Sequence, residues 1–357
     1  MQRRIGVQHQ AIAQGGQFFG TGDGGFAAND HVHQLRRCQP LGQGADLVQR
    51  GDSLHKQDVG ARLLKALRTL HGGLKALAQA RRGVIVPGAF NALSARVVAD
   101  LGFEALYVTG AGVTNMWFGL PDQAFMGLTD IADHTARIRD AVELPLIVDA
   151  DTGFGNALNT YHAVRVLERA GADCIQLEDQ VSPKRCGHFN GKEVIPTCEM
   201  LGKIKAAVDA RHDAGTLILA RTDACATQGF EAAVERARRF EEAGADILFV
   251  EAVTTLDEIR ALPQRLAAQQ LMNMVIGGKT PITSAEELAT LGYGLVLYAN
   301  AALQGAVAGM QKALTVLRDH QRIDEDPALV APFAERQRLV RKADWDALEA
   351  QYANGRP

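Results

Sequence analysis

Arg169-Ala170-Gly171-Ala172-Asp173-Cys174-Ile175-Gln176-Leu177-Glu178-Asp179 reads as the end of a helix, a glycine turn and a short apolar strand closed by two carboxylates. The connection returns almost unchanged as Glu242-Ala243-Gly244-Ala245-Asp246, ahead of the apolar run Ile247–Val250 and Glu251. Gly102 and Gly292 stand at the same place in two further connections, where a helix needs a left-handed residue to stop. Working outward, apolar runs suited to buried parallel strands are Val84–Val86, Ala105–Val108, Leu146–Val148, Cys174–Leu177, Leu217–Ala220, Ile247–Val250, Met272–Val275 and Gly294–Leu297. Helical spacing of apolar residues fills the intervals: Asn91–Leu101, Thr129–Val142, Asn159–Ala170, Glu199–His212, Phe230–Ala243, Leu256–Leu266 and Ser284–Leu291. A last helix is predicted over Ala301–Leu317, and one more helical stretch over Pro332–Tyr352. Eight strands, each followed by a helix, predict an α/β fold of the closed (β/α)8 TIM-barrel type. No Gly-x-Gly-x-x-Gly follows the first strand, which argues against an open dinucleotide-binding sheet.

The barrel is predicted over residues 83–320, with a helical segment over 61–82 before it and a helical tail over 321–357 after it. Residues 1–60 differ in kind, with eleven Gly, ten Gln and no Glu. They lack the apolar content to offset ordering entropy, and are expected to be disordered or a mis-assigned N-terminal extension. A net charge of −3 and the lack of a basic, aromatic-laced cluster exclude nucleic acid as the expected partner. No stretch of eighteen apolar residues is present, so no membrane partner is expected, and Met1–Arg4 is not followed by the apolar core of a secretory signal. Five widely spaced cysteines suit a reduced, cytoplasmic protein.

Catalytic groups of a barrel gather at the C-terminal ends of its strands. There the sequence offers Tyr107, Thr109 and Gly110 after strand 2, and Asp149 and Asp151 after strand 3. Glu178 and Asp179 follow strand 4, Arg221 and Asp223 strand 5, and Glu251 strand 6; Asn273 lies within strand 7. Asp149, Asp151 and Glu178 form a set of hard oxygen ligands suited to Mg²⁺; the competing reading makes Asp151 a helix cap. Zinc fits poorly, because Cys186 and His188 lack a second Cys/His pair at ligand spacing. Cys186 is either an inert buried thiol or one whose pKa is lowered by Lys184, Arg185 and His188, so that it exchanges protons near neutral pH. Gly187 lets that segment approach a substrate, while His188 alone could be no more than a loop-stabilising group. Arg221 is a bidentate carboxylate clamp, an internal ion-pair partner of Asp223 or Glu251, or both.

Lys184-Arg185-Cys186-Gly187-His188 resembles the signature of the isocitrate lyase/phosphoenolpyruvate mutase superfamily. Further matches are Pro87–Ala92, Tyr107–Gly112, Gly119–Asp122, Asp149–Gly155, Gln176–Asp179, Ala220–Ala224 and Gly278–Pro281. The resemblance implies a barrel enzyme acting on a small carboxylate, forming a homotetramer with the eighth helix exchanged between subunits. It implies Mg²⁺, with Mn²⁺ as an alternative ion, held by Asp149, Asp151 and Glu178 largely through water. It further implies cleavage of a 2-hydroxy di- or tricarboxylate, such as 2-methylisocitrate or 2,3-dimethylmalate, to a 2-oxo acid such as pyruvate. Cys186 acts as the acid, with Lys184, His188 and Tyr107 in the proton chemistry. Thr109, Gly110, Ala111, Asp122, Gly187, Arg221, Glu251 and Asn273 bind substrate. Two departures stand out against methylisocitrate lyases: Ile276 replaces an acid, and Gln304 replaces an arginine that suits an additional carboxylate. A carboxyphosphoenolpyruvate phosphonomutase, an oxaloacetate decarboxylase, or a catalytically silent binding barrel are the competing expectations.

Overall fold

The computed structural model describes residues 73–185 and 191–353. The expectations for 1–60, for residues 61–72, and for Cys186, Gly187 and His188 lie outside the described residues. The elements in chain order are α1 (Gly73–Gln79), β1 (Val84–Ala89), α2 (Ala92–Asp100), β2 (Leu106–Val108), α3 (Gly110–Val113) and a π-helical turn (Thr114–Phe118). Then come α4 (Leu128–Ala141), β3 (Leu146–Asp149), α5 (Ala157–Arg169), β4 (Cys174–Glu178), α6 (Thr197–Ala210), β5 (Leu217–Thr222), α7 (Ala224–Gln228) and α8 (Phe230–Glu242). The chain continues through β6 (Ile247–Val250), α9 (Leu256–Arg265), β7 (Gln269–Asn273), α10 (Ala285–Leu291), β8 (Leu295–Tyr298), α11 (Ala301–His320), α12 (Phe333–Leu339) and α13 (Lys342–Ala353).

The eight strands close into a parallel barrel in sequence order, as expected for a (β/α)8 fold. Side chains alternate across each strand, and this alternation builds the site. On β4 the inward column is Cys174, Gln176, Glu178; on β5 it is Leu217, Leu219, Arg221; on β6 it is Ile247, Phe249 and then Glu251. Each column starts apolar at the lower end and turns polar at the rim. The outward residues Ile175, Leu177, Ile218, Ala220, Leu248 and Val250 join the layer between sheet and helices. Below, Leu74 and Ala78 of α1 pack onto the inner cluster of Val84, Leu217, Ile247 and Leu295 and close that end. Each buried aliphatic side chain of this kind contributes roughly 1.5–3 kcal/mol.

Helix ends follow from local chemistry. Asn91 with Ser94, Thr255 with Glu258, and Ser284 with Glu287 form reciprocal capping boxes. Gly171 has φ 103° just past the end of α5, and a Cβ there would lie 2.6 Å from Arg139 Cγ.

Two expectations need correction. The seventh strand is Gln269–Asn273, not Met272–Val275. Two glutamines masked its start. Gln270 is buried, its amide 3.4 Å from the carbonyls of Leu262 and Leu266. The tail is two helices rather than one stretch, broken where Arg341 takes φ 58°.

Candidate active site

At the C-terminal rim a cavity opens between the strand ends. Tyr107, Thr109, Ala111, Asp122, Asp149, Lys184, Arg221, Glu251 and Asn273 all line it, so the structure brings together most of the sequence candidates. Gly110 does not line it, but a Cβ there would stand 3.0 Å from Asp149 Oδ2. Thr109 caps α3, its Oγ1 accepting from the Gly112 N–H at 3.2 Å.

Strand register sets the neighbours: Asp149 lies beside Gln176, and Glu178 beside Arg221. Gln176 Nε2 donates to Asp149 Oδ1 (3.2 Å), as does the Asp151 N–H (3.1 Å). Asp151 itself sits at φ 46° in a turn where Gly153 and Phe154 also have positive φ. A left-handed non-glycine residue costs about 1–2 kcal/mol, and such strain collects at functional sites. Lys203, buried on α6, donates to the Thr152 carbonyl (3.0 Å) and holds this turn.

Lys184 is buried between Asp122 Oδ1 (2.5 Å) and Asp151 Oδ1 (3.0 Å). Burial lowers its pKa, but Asp151, Asp122, Asp149 and Glu178 outweigh that and leave it well above the ordinary value. It is a standing cation. The Asp151 oxygen facing it accepts no aligned hydrogen bond despite the ion-pair distance.

Arg221 makes the internal ion pairs that were one of its two expected roles. Its Nε and Nη2 grip Asp223 (2.9 and 3.1 Å), Nη1 reaches Glu178 Oε2 (3.2 Å), and Nη2 lies 3.4 Å from Glu251 Oε2. Beneath it the Phe249 ring lies 5.2 Å from the guanidinium carbon. Glu251 is oriented by the Ala252 N–H (2.9 Å) and the Asn273 amide (3.2 Å). Asn273 gives its amide N–H to Glu251 Oε2, which leaves its Oδ1 turned away, and that buried oxygen has no partner. Asn273 ends its strand rather than lying within it, which is what carries it to the rim.

The carboxylates do not converge as direct ligands: among the described residues no group of three or more His, Cys, Asp or Glu is disposed to hold an ion. Three observations nevertheless fit a Mg²⁺ held mainly through water. Glu178 Oε1 is buried without a partner. Burial pushes the Asp151 pKa up to about 7 in spite of Lys184, and pushes Glu178 well above the carboxylate range. The donors are hard oxygens, and Mg²⁺ commonly uses one or two carboxylates plus waters and substrate. The Tyr107 phenol is driven well above its normal pKa, first by burial and then by Asp149. It stays protonated.

Several lining residues were missed. Val275, Leu297, Ala299, Asn300 and Ala301, at the ends of β7 and β8, line the cavity together with Ile276 and Gln304. Gln176 could have been found, as a polar residue two before Glu178 in an apolar strand. Lys192 and Lys203 carried no local signal.

A barrel whose rim carries buried carboxylates, a clamped arginine and a cationic lysine has the charge arrangement suited to small anions. The chain belongs to the phosphoenolpyruvate mutase/isocitrate lyase superfamily: the profile described as phosphoenolpyruvate phosphomutase matches residues 74–318. It is 39% identical over 283 residues to the 2,3-dimethylmalate lyase of Eubacterium barkeri, covering 79% of this chain and 98% of that one. It is 46% identical over 246 residues to the 2-methylisocitrate lyase of Aeropyrum pernix, covering 69% and 78%. The structure of phosphonopyruvate hydrolase with oxalate and Mg²⁺ superposes with a TM-score of 0.68 at 30% identity, over 78% of this chain and 99% of that one. Within the superfamily its named lyase relatives place it among the carbon–carbon lyases. Among the described residues no helix is long and apolar enough to cross a membrane.

Proposed function

We propose that the enzyme cleaves the C2–C3 bond of a small branched 2-hydroxy dicarboxylate of the 2,3-dimethylmalate kind. The products are a 2-oxo acid such as pyruvate and a carboxylate. The carrying observation is the two-sided cavity. One side, over the ends of β2 to β6, holds Tyr107, Asp149, Lys184, Arg185, Arg221 and Glu251. The other is built from Val275, Ile276, Leu297, Ala299, Ala301 and Gln304, none of which is charged. A third carboxylate finds no cation on that wall, whereas methyl branches lose little there.

Bound at Asp149, Asp151 and Glu178, Mg²⁺ (or Mn²⁺) supplies fixed positive charge for oxygens that become anionic. Arg221, immobilised by Asp223 and Phe249, grips a substrate carboxylate. Asn273 Oδ1, turned away from Glu251, accepts from a hydroxyl or water. Tyr107, neutral and beside Asp149, hydrogen-bonds substrate and relays protons without standing as a phenolate. Thr109 and Ala111 line the cavity and contact the substrate. Cys186 protonates the carbon left by cleavage, with His188 in the proton chemistry and Gly187 binding substrate. Arg185, the residue before Cys186 in sequence, lines the cavity, which supports that role.

Helix α11 buries only Leu303 of its twenty residues. An apolar groove runs along α2 and the start of α11, beside Leu93, Val97, Leu101 and Ala306. Both suit a homotetramer that exchanges this helix. Cys174, Cys198 and Cys225 are unpaired, which suits the cytoplasm.

The test is a panel of 2,3-dimethylmalate, 2-methylisocitrate, isocitrate and oxaloacetate, assayed for oxo-acid release with and without Mg²⁺. Cleavage of the dicarboxylate should lead, require Mg²⁺, and fall by about 10²–10⁴-fold in Cys186→Ala. Decarboxylation of oxaloacetate with no hydroxy-acid cleavage would select the decarboxylase instead, and full activity of Cys186→Ala would remove the thiol from the chemistry.

A further inference from the structure

Arg221 has one charge and three carboxylate partners, Asp223, Glu178 and Glu251. Left to those three it would present little net positive charge to an anion. Behind it, out of the cavity, Lys192 Nζ lies 2.6 Å from Asp223 Oδ1, with side chains 2% and 0% exposed. Asp223 therefore bridges two cations: it forks Arg221 with both oxygens and shares Oδ1 with Lys192.

The bridge is rigid at each end. The Asp223 N–H donates to Asp179 Oδ1 (2.9 Å), and Thr222 Oγ1 donates to Asp179 Oδ2 (2.7 Å). Arg236 holds Asp179 Oδ2 (3.0 Å) and the Ile195 carbonyl (2.6 Å). Lys192 is pinned by short antiparallel pairing, with Val181 N–H to the Glu193 carbonyl and Ile195 N–H to the Asp179 carbonyl, both 2.9 Å.

We propose that Lys192 is a positioning residue: by taking up the charge of Asp223 from behind, it fixes the Arg221 guanidinium and leaves its charge available to a substrate carboxylate. Lys192 touches no substrate. The role rests on reading Arg221 as the carboxylate clamp of the proposed lyase, and the test separates the two. Oxalate is the probe, titrated calorimetrically into the full-length protein with saturating Mg²⁺. Steady-state kinetics with the best panel substrate run in parallel.

Lys192→Met should weaken oxalate binding and raise KM by about tenfold, the order expected for losing one buried charge nearby, while kcat changes less than KM. Lys192→Arg should restore both to within a few-fold. The thermal shift produced by Mg²⁺ alone should stay as in the wild type, which a general structural defect would not allow. Lys192→Gln keeps a donor for Asp223 without the charge and should behave like the methionine variant. Wild-type oxalate affinity and KM in Lys192→Met or Lys192→Gln would overturn the proposal. Failure of both to fold, or Lys192→Gln matching the wild type, would assign the pair a purely structural role and overturn it too. If the wild type binds oxalate but cleaves no member of the panel, the lyase reading falls while the effect of Lys192 on oxalate still decides this proposal.

Discussion

The two ends of the barrel are built on opposite principles. At the lower end, Leu74 and Ala78 of α1 rest on Val84, Leu217, Ile247 and Leu295, with apolar contact and close backbone approach throughout. At the rim, the strand ends present Asp149, Glu178, Arg221, Glu251 and Asn273, all buried, with Glu178 Oε1 and Asn273 Oδ1 unpaired. Asp151 and Ala252 take φ values of 46° and 60° there. One end therefore contributes stability, and the other holds strain and desolvated charge in a fixed arrangement. In the proposed function, binding of cation and anion relieves the second end.

The largest expected effect lies at the lower end. A Cβ on Gly294 would stand 2.2 Å from the Ala78 carbonyl oxygen and 2.9 Å from its carbon, both backbone atoms. Gly294→Val must displace α1 and open the inner cluster, costing about 4 kcal/mol and lowering Tm by roughly 10 °C. Thermal unfolding followed by circular dichroism reads this directly. An unchanged Tm would show that α1 is a loose attachment, and the contrast between the ends would dissolve.

Next comes Leu74→Ala, which removes a buried side chain without a clash. It should cost about 3 kcal/mol in urea unfolding while leaving the Mg²⁺ response intact. A lost Mg²⁺ response would mean that the lower end sets the geometry of the rim.

The same contrast explains what could be read in the sequence. The lower ends of the strands and the helix faces follow simple periodicity, so the barrel and most helices were legible from apolar spacing and from the glycines at 102, 171, 244 and 292. Rim residues were legible one at a time, as polar groups at strand ends. Their partners were not. That Lys184 lies between Asp122 and Asp151, 62 and 33 positions apart in sequence terms, follows from barrel closure and not from spacing. Lys192 and Lys203 look like surface lysines until folding buries them. The seventh strand was misplaced for a related reason. Its first residues are polar, and the apolar Val275 and Ile276 beyond it belong to the cavity wall.

The smallest expected change in stability is the most telling for the rim. Glu178 is 1% exposed, Oε1 has no partner, and burial has driven its pKa far up. Glu178→Gln keeps the shape and spares the fold the cost of desolvating or protonating a carboxylate that is ionised in the unfolded chain. Arg221 keeps Asp223 and Glu251 as partners. Without Mg²⁺ the variant should therefore be more stable than the wild type, by about 1 kcal/mol. With Mg²⁺ the order should reverse: the wild type gains about 2.7 kcal/mol at a hundredfold excess over Kd, and the variant gains almost none. Melts of both proteins with and without the ion measure this crossover. A variant less stable in the absence of Mg²⁺, yet responding to the ion like the wild type, would make Glu178 a structural residue of the same kind as those at the lower end. A crossover would show instead that the rim holds its carboxylates in a state that the bare protein alone disfavours.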